Sequence, residues 1–134
     1  MITVSVATSR KEQLIDITRD VQNAVSKRGF ANGICHVHTA HTTAAVTVNE
    51  NADPDVVHDI ILSLDSIVKE LPGFRHGEGN STAHVKSSLV GNSVTVPVDN
   101  GQLVLGTWQG IYFCEFDGPR SRKVWVTCTP SENG

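Results

Sequence analysis

The chain has 134 residues, a hydrophobic share of 39% and a formal net charge of -3. That length and apolar content suit one domain with one core, and the slight acidity excludes the global positive field that recruits nucleic acid. No run approaches the roughly 18 apolar residues of a membrane span, and Met1-Ile2-Thr3-Val4 lacks the basic stretch and apolar run of a secretory leader.

Ile2, Val4 and Val6 alternate with polar neighbours and predict an opening strand; Leu14, Ile15 and Ile17 predict a second. Thr18 is placed to cap a helix carrying Val21, Ala24 and Val25, with Gly29 as its stop. Ile34 to Ala40 and Ala44 to Val48 read as strands. Asp53 then caps the clearest helix, with Pro54 in its first turn and an apolar stripe of Val57, Ile60, Ile61, Leu64, Ile67, Val68 and Leu71. Pro72-Gly73 ends it, and a long polar stretch runs from Phe74 to about His84.

The last third is β-rich. Val94 to Val98 alternates, Asp99-Asn100-Gly101 supplies hairpin chemistry, and Leu103 to Trp108, Ile111 to Phe116 and Lys123 to Thr129 predict further strands. Trp108-Gln109-Gly110 is expected to close a hairpin. Together these predict a single α+β domain over 1–134, with an antiparallel β-sandwich-like core and two helices. Cys35, Cys114 and Cys128 each fall in a predicted strand without a CxxC pair, which fits buried thiols in a reducing cytoplasm.

The chemistry gathers where small polar residues surround histidines. His36 and His38 share one strand face about 6–7 Å apart, but two imidazoles are too few for a metal site, so they read as a half-exposed polar face. His41, His76 and His84 make the better set, because three neutral imidazoles suit zinc and leave a fourth position open. Gly77-Glu78-Gly79-Asn80-Ser81-Thr82 forms a candidate anion cradle, above all if a helix begins near Ser81. Glu115, flanked by apolar residues, needs a partner when buried, and Arg120 or Arg122 can supply it. Glu50 and Asn51 sit at the Asp53 cap, where they either bond the helix end or face a site. Trp108 beside Gln109 either stacks on a ligand ring or packs at a sheet edge.

Assembled, these motifs resemble the YjbQ-like family, also called the secondary thiamine-phosphate synthase family. The resemblance rests on His41-Thr42-Thr43-Ala44-Ala45 through Asn49-Glu50-Asn51-Ala52-Asp53-Pro54, on Arg75-His76-Gly77-Glu78-Gly79-Asn80 with Ala83-His84, on Gly106-Thr107-Trp108-Gln109-Gly110, and on Cys114-Glu115-Phe116-Asp117-Gly118-Pro119-Arg120. It implies a homotrimer and a polar pocket holding a metal or an anion. It implies His41, His76 and His84 as ligands of a divalent ion, most simply zinc. It also implies Glu115, Asn51, Asn80 and Arg120 as catalytic candidates, with Gly79, Thr82, Trp108 and Gln109 as substrate-binding candidates. Many relatives have Asn-Ala-Asp where this chain has Asn80-Ser81-Thr82. The implied reaction is a metal-dependent transfer joining a pyrimidine pyrophosphate to a thiazole phosphate. Two other readings stand beside it: a metal-assisted hydrolase with Glu115 or Glu50 as base, and a non-catalytic binding module for an anionic metabolite.

Overall fold

The computed structural model describes residues 1–132. Its elements run β1 (Ile2–Ala7), β2 (Gln13–Asp16), α1 (Thr18–Arg28), β3 (Gly33–His38), β4 (Ala44–Glu50), α2 (Pro54–Ile67), α3 (Ser81–Val90), β5 (Ser93–Asp99), β6 (Gln102–Leu103), β7 (Gln109–Glu115) and β8 (Ser121–Pro130). The strands form two antiparallel sheets, a five-stranded one ordered β1-β8-β3-β5-β6 and a three-stranded one ordered β2-β7-β4. This is the expected α+β class, with three helices among the described residues where two were expected.

Alternation along β4 and β7 explains the layering. Val46, Ile111 and Phe113 belong to the larger core cluster together with Val37, Val124 and Val126 of the five-stranded sheet and with α1. Ala45, Tyr112 and Cys114 point the other way, into a second cluster completed by Ala83 of α3 and by Val57, Ile60, Ile61 and Leu64 of α2. The central strand β7 is thus covered on both faces, and Gly110 through Glu115 are all buried. Cys35, Cys114 and Cys128 are buried free thiols, and burial pushes the Cys35 and Cys114 thiols up to about 12.

Several local expectations are corrected. Helix α1 stops at Gly29 as expected, in the left-handed region at φ 65°, but Thr18 is not its cap. Asp16 accepts from the Thr18 backbone N–H at 2.9 Å, and the Thr18 hydroxyl accepts from Ile111 N–H at 2.8 Å, tying the helix start to β7. Asp53 caps α2 as expected, accepting from Asp55 N–H at 2.9 Å. That helix ends at Ile67, however, four residues before the end of its apolar stripe. Val68 is buried beyond the helix, while Ile67 and Leu71 are exposed.

The polar stretch after Phe74 ends in helix α3, whose buried face of Ala83, Lys86 and Ser87 lacks the large apolar residues that mark a helix in sequence. Asn100 and Gly101 take positive φ in the β5–β6 hairpin, as their chemistry predicts. The strand expected through Trp108 shrinks to Gln102–Leu103. Because β6 and β7 lie in different sheets, Trp108-Gln109-Gly110 opens a crossing between sheets and closes no hairpin.

Candidate functional site

The turn from β7 to β8 also crosses between sheets, so Glu115 at the end of one and Arg122 at the start of the other face each other across the core. Both are buried. Arg122 donates from Nε to Oε2 of Glu115 at 2.7 Å and from Nη2 to Oε1 at 2.5 Å. The same Nη2 donates to the Thr43 hydroxyl at 2.8 Å. Glu115 further accepts from the Thr8 hydroxyl and the Asp117 backbone N–H, each at 2.9 Å. Burial alone would raise this carboxyl, but the hydrogen bonds from Arg122, Asp117 and Thr8 outweigh it and hold Glu115 below the usual glutamate range.

Above this pair lies a cavity of about 340 Å³. His41 comes from the β3–β4 connection, Glu78 and His76 from the loop before α3, His84 from the first turn of α3, and Arg120 and Arg122 from the β8 side. His76 and His84 meet edge to face, with ring centroids 5.2 Å apart. His41 Nε2 accepts from the Lys123 backbone N–H at 3.1 Å. Burial, followed by the nearby Arg122 charge, lowers the His41 pKa, so this ring is neutral at pH 7. The three sequence-predicted histidines therefore share one cavity.

As metal ligands they fit poorly. Among the described residues no three His, Cys, Asp or Glu side chains converge closely enough to hold an ion, and the Nε2 lone pair of His41 is already occupied by Lys123.

Anion chemistry fits better. Helix α3 begins at Ser81 with Asn80 as N-cap, yet Asn80 makes no side-chain cap bond and the first turn holds no acidic residue. The Ser81 and Thr82 N–H groups have no hydrogen-bond partner among the described residues, because the first α3 amides to bond back are Ala83 and His84. The positive helix end borders the cavity through Asn80 and His84, while Ser81 and Thr82 themselves do not line it. Asn80 donates to Asp117 at 2.8 Å, and its buried Oδ1, an acceptor without a partner among the described residues, calls for a donor such as a ligand hydroxyl and not for an anionic oxygen. Arg120 bonds Asp117 through Nε and Nη2, each at 2.9 Å. The Nη1 groups of both Arg120 and Arg122 make no bond among the described residues, although Arg122 is 3% exposed. A guanidinium so buried, with one free corner at a cavity, is arranged for a ligand anion.

The remaining sequence candidates lie elsewhere. In the β4–β7 ladder Ala44 faces Glu115 while Glu50 faces Gln109, so the two ends stand about 20 Å apart at the ~3.4 Å rise of a strand. Asn51, Trp108 and Gln109 are at the far end. Asn51 Nδ2 donates to Asp16 at 3.2 Å, Gln109 accepts from Gly106 N–H at 2.8 Å, and Trp108 is 62% exposed. Glu50 also lies there, bonding through its backbone carbonyl to the Tyr112 hydroxyl at 3.0 Å. Gly79, at φ 74°, turns the loop into the cap of α3. The residues not foreseen at the cavity are Thr43 and Arg122. The second was visible only as a partner for Glu115, because nothing in sequence showed that two sheets would bring a spare guanidinium edge to His41.

Comparison with known proteins agrees with this architecture. The family model described as "UPF0047 protein YjbQ-like" matches residues 2–131. UPF0047 protein YugU of Bacillus subtilis is 49% identical over 92% of this chain and 95% of its own. A crystal structure of an uncharacterized conserved YjbQ/UPF0047 protein from Clostridium acetobutylicum superposes with a TM-score of 0.93 at 51% identity, covering 96% of this chain and 100% of the other. A protein of unknown function from Sulfolobus solfataricus P2 gives a TM-score of 0.91 at 34% identity, covering 97% of this chain and 96% of the other.

Proposed function

The chain belongs to the YjbQ-like UPF0047 family, and from that premise we propose that it is an enzyme acting on a phosphorylated small molecule, held by its phosphate in the cavity of His41, His84 and Arg122. The observation that carries this reading is the free Nη1 of the buried Arg122 beside the uncapped, acid-free first turn of α3. Two guanidinium corners, with the positive end of α3 beside them, match the oxygen-rich periphery of a phosphate and outnumber the one carboxylate on the lining, Glu78.

The imidazoles supply the proton chemistry. His76 and His84 take or give a proton at the bond next to the bound phosphate, while neutral His41 is held in one orientation by Lys123. Glu115 is a positioning residue in this scheme. Its oxygens are engaged by Thr8, Arg122 and Asp117, so it orients the guanidinium and does not itself remove a proton.

Thiamine-phosphate synthesis is the reaction that the sequence resemblance brings. Its demand is dispersal of the charge on a departing pyrophosphate, which the arginine corners and the positive end of α3 serve. Attack by a thiazole nitrogen requires no base, so positioning dominates. The divalent ion implied by the same resemblance finds no converged ligand set among the described residues. A homotrimer in the cytoplasm is part of the proposal on the resemblance alone; among the described residues no helix is long and apolar enough to cross a membrane.

Calorimetric titration of inorganic phosphate and pyrophosphate tests the reading. Saturable binding weakened about tenfold in Arg120→Gln, the loss of roughly one charge-assisted hydrogen bond, is the expected result. Equal affinity in that variant, or no binding to the wild-type chain, overturns it. Turnover of an added organic phosphate then separates the enzyme from a binding module.

A further inference from the structure

The phosphate cavity does not stand alone. A second, larger hollow of about 770 Å³ shares Ala40, His41, Thr42 and His84 with it, and extends over His38, Ser88 and Asn92. The two imidazoles His41 and His84 therefore form the waist of one continuous groove, with the arginines on one side and a separate compartment on the other. A phosphate alone does not need the second compartment, whose size lies within the range of small-molecule sites.

Its lining is chemically specific. No carboxylate contributes to it, so nothing there selects a cationic group. No Phe, Tyr or Trp contributes either, so the only rings offered to a flat ligand are the small imidazoles of His38, His41 and His84, of which His38 is already packed against Trp125. Its only apolar contributors are Ala40 and Gly91. What it presents is hydrogen-bonding capacity. The side chains of Thr42 and Asn92 and the ring nitrogens of His38 make no hydrogen bonds among the described residues. Ser88 donates to the His84 carbonyl at 2.9 Å, which leaves its oxygen free to accept. The His38 ring is held against Trp125, with centroids 5.6 Å apart, so it is braced from behind.

We propose that the organic part of the substrate is a neutral, hydroxyl-rich carbon skeleton, as in a sugar or polyol phosphate, that it occupies the compartment of His38, Thr42, Ser88 and Asn92, and that the bond acted on lies at the His41–His84 waist. This rests on the phosphate reading above and not on thiamine-phosphate synthesis, whose pyrimidine and thiazole are a different substrate class; it adds the substrate class and the specificity residues. Hydroxyl groups both donate and accept, and the unpartnered amide, hydroxyl and imidazole groups complement them without requiring charge. An alkyl chain would cover those groups without pairing them, and a nucleoside base would find only small imidazole rings to stack on.

Calorimetry on the full chain with four probes tests it: inorganic phosphate, glycerol 3-phosphate, glucose 6-phosphate and adenosine 5′-monophosphate. The expected order places the two polyol phosphates about tenfold or more tighter than inorganic phosphate. In Asn92→Leu, and separately in Thr42→Val, the ratio of polyol-phosphate to inorganic-phosphate affinity collapses toward one. Asn92 is exposed on a turn and Thr42 is exposed ahead of β4, so both variants keep the fold, which circular dichroism verifies. Binding of inorganic phosphate with no gain for either polyol phosphate, or a larger gain for the nucleotide, overturns this inference and leaves the phosphate reading intact. Failure of inorganic phosphate and every organic phosphate to bind overturns both.

Discussion

Glu115 and Arg122 form a buried two-pronged ion pair that bridges the two sheets directly beneath His41, with both prongs at 2.7 Å or less. Taking two charges out of water is costly, and the pair is balanced because Thr8, Thr43 and Asp117 occupy the remaining donors and acceptors except Nη1 of Arg122, which faces the cavity. The sequence alone favours a Glu115→Gln variant that folds normally and loses function. The geometry changes that expectation. Glu115→Gln leaves a guanidinium buried without its counter-charge and is expected to cost about 3–5 kcal/mol of stability, measured by urea unfolding. A double replacement, Glu115→Leu with Arg122→Met, is expected to recover most of that stability while losing phosphate binding. A stable single Gln variant with wild-type phosphate affinity would remove the pair from both roles.

His41 carries a pH signature. Its folded pKa is lowered, chiefly by burial, so the unfolded chain takes up a proton before the folded one does. Its contribution to stability is present above the unfolded histidine value near ~6.5 and is lost as pH falls toward the folded value. Comparing unfolding free energies at pH 7 and pH 5 should show a smaller drop in His41→Gln than in the wild-type chain. An identical drop would mean that His41 is not held neutral.

Lys86 is the counterpart on the helical side. It is 4% exposed, donates to Glu12 at 2.5 Å and to Asp65, and so ties the β1–β2 loop and α2 to α3. Burial would lower its pKa, but the two carboxylates outweigh that and raise it. Its contribution is therefore complete below the ordinary lysine range and is lost only as pH rises through the folded value. Lys86→Met is expected to lose about 3 kcal/mol, the low end for a broken buried pair, because Asp65 is half exposed and keeps its water. Thermal unfolding at pH 7 checks it; a loss below about 0.5 kcal/mol, ordinary for a surface site, would rule out the tie.

That lysine marks where the sequence was silent. Strands β1, β4, β5 and β8 and helix α2 were legible because their apolar residues alternate or recur in step with the backbone. Helix α3 was not, because it buries Ala83, Lys86 and Ser87, and a lysine neutralised by partners 74 and 21 residues away looks like a surface residue. The histidine trio was legible as a set of residue types, and its members share a cavity. The free edge of Arg122 was not, because it depends on how many of its donors Glu115 and Thr43 consume. Asn51, Trp108 and Gln109 carried a family motif as strong as the others, yet the antiparallel register sends them to the opposite end of the sheet.

That separation yields a further expectation. Trp108→Ala should leave stability within about 0.5 kcal/mol, as for an exposed side chain, and should leave phosphate affinity unchanged, because ~20 Å of strand lie between Trp108 and Arg122. Chemical denaturation and calorimetry check the two halves. A fall in phosphate affinity with the fold intact would mean that the far end of one chain meets the cavity of another.

The three core thiols give the chain a built-in clock. Cys35 and Cys114 resist ionisation while they are enclosed, with values pushed to about 12, and a thiol that cannot form thiolate is a poor nucleophile. Alkylation at neutral pH therefore has to wait for the sheets to part. Cys35 faces Cys128 in the five-stranded sheet and Cys114 sits on the other side of β7, so their separate labelling rates report the opening of the two halves of the core. Equal rates would mark one cooperative unit, and faster labelling of Cys114 would mark release of the helical layer ahead of the sheets.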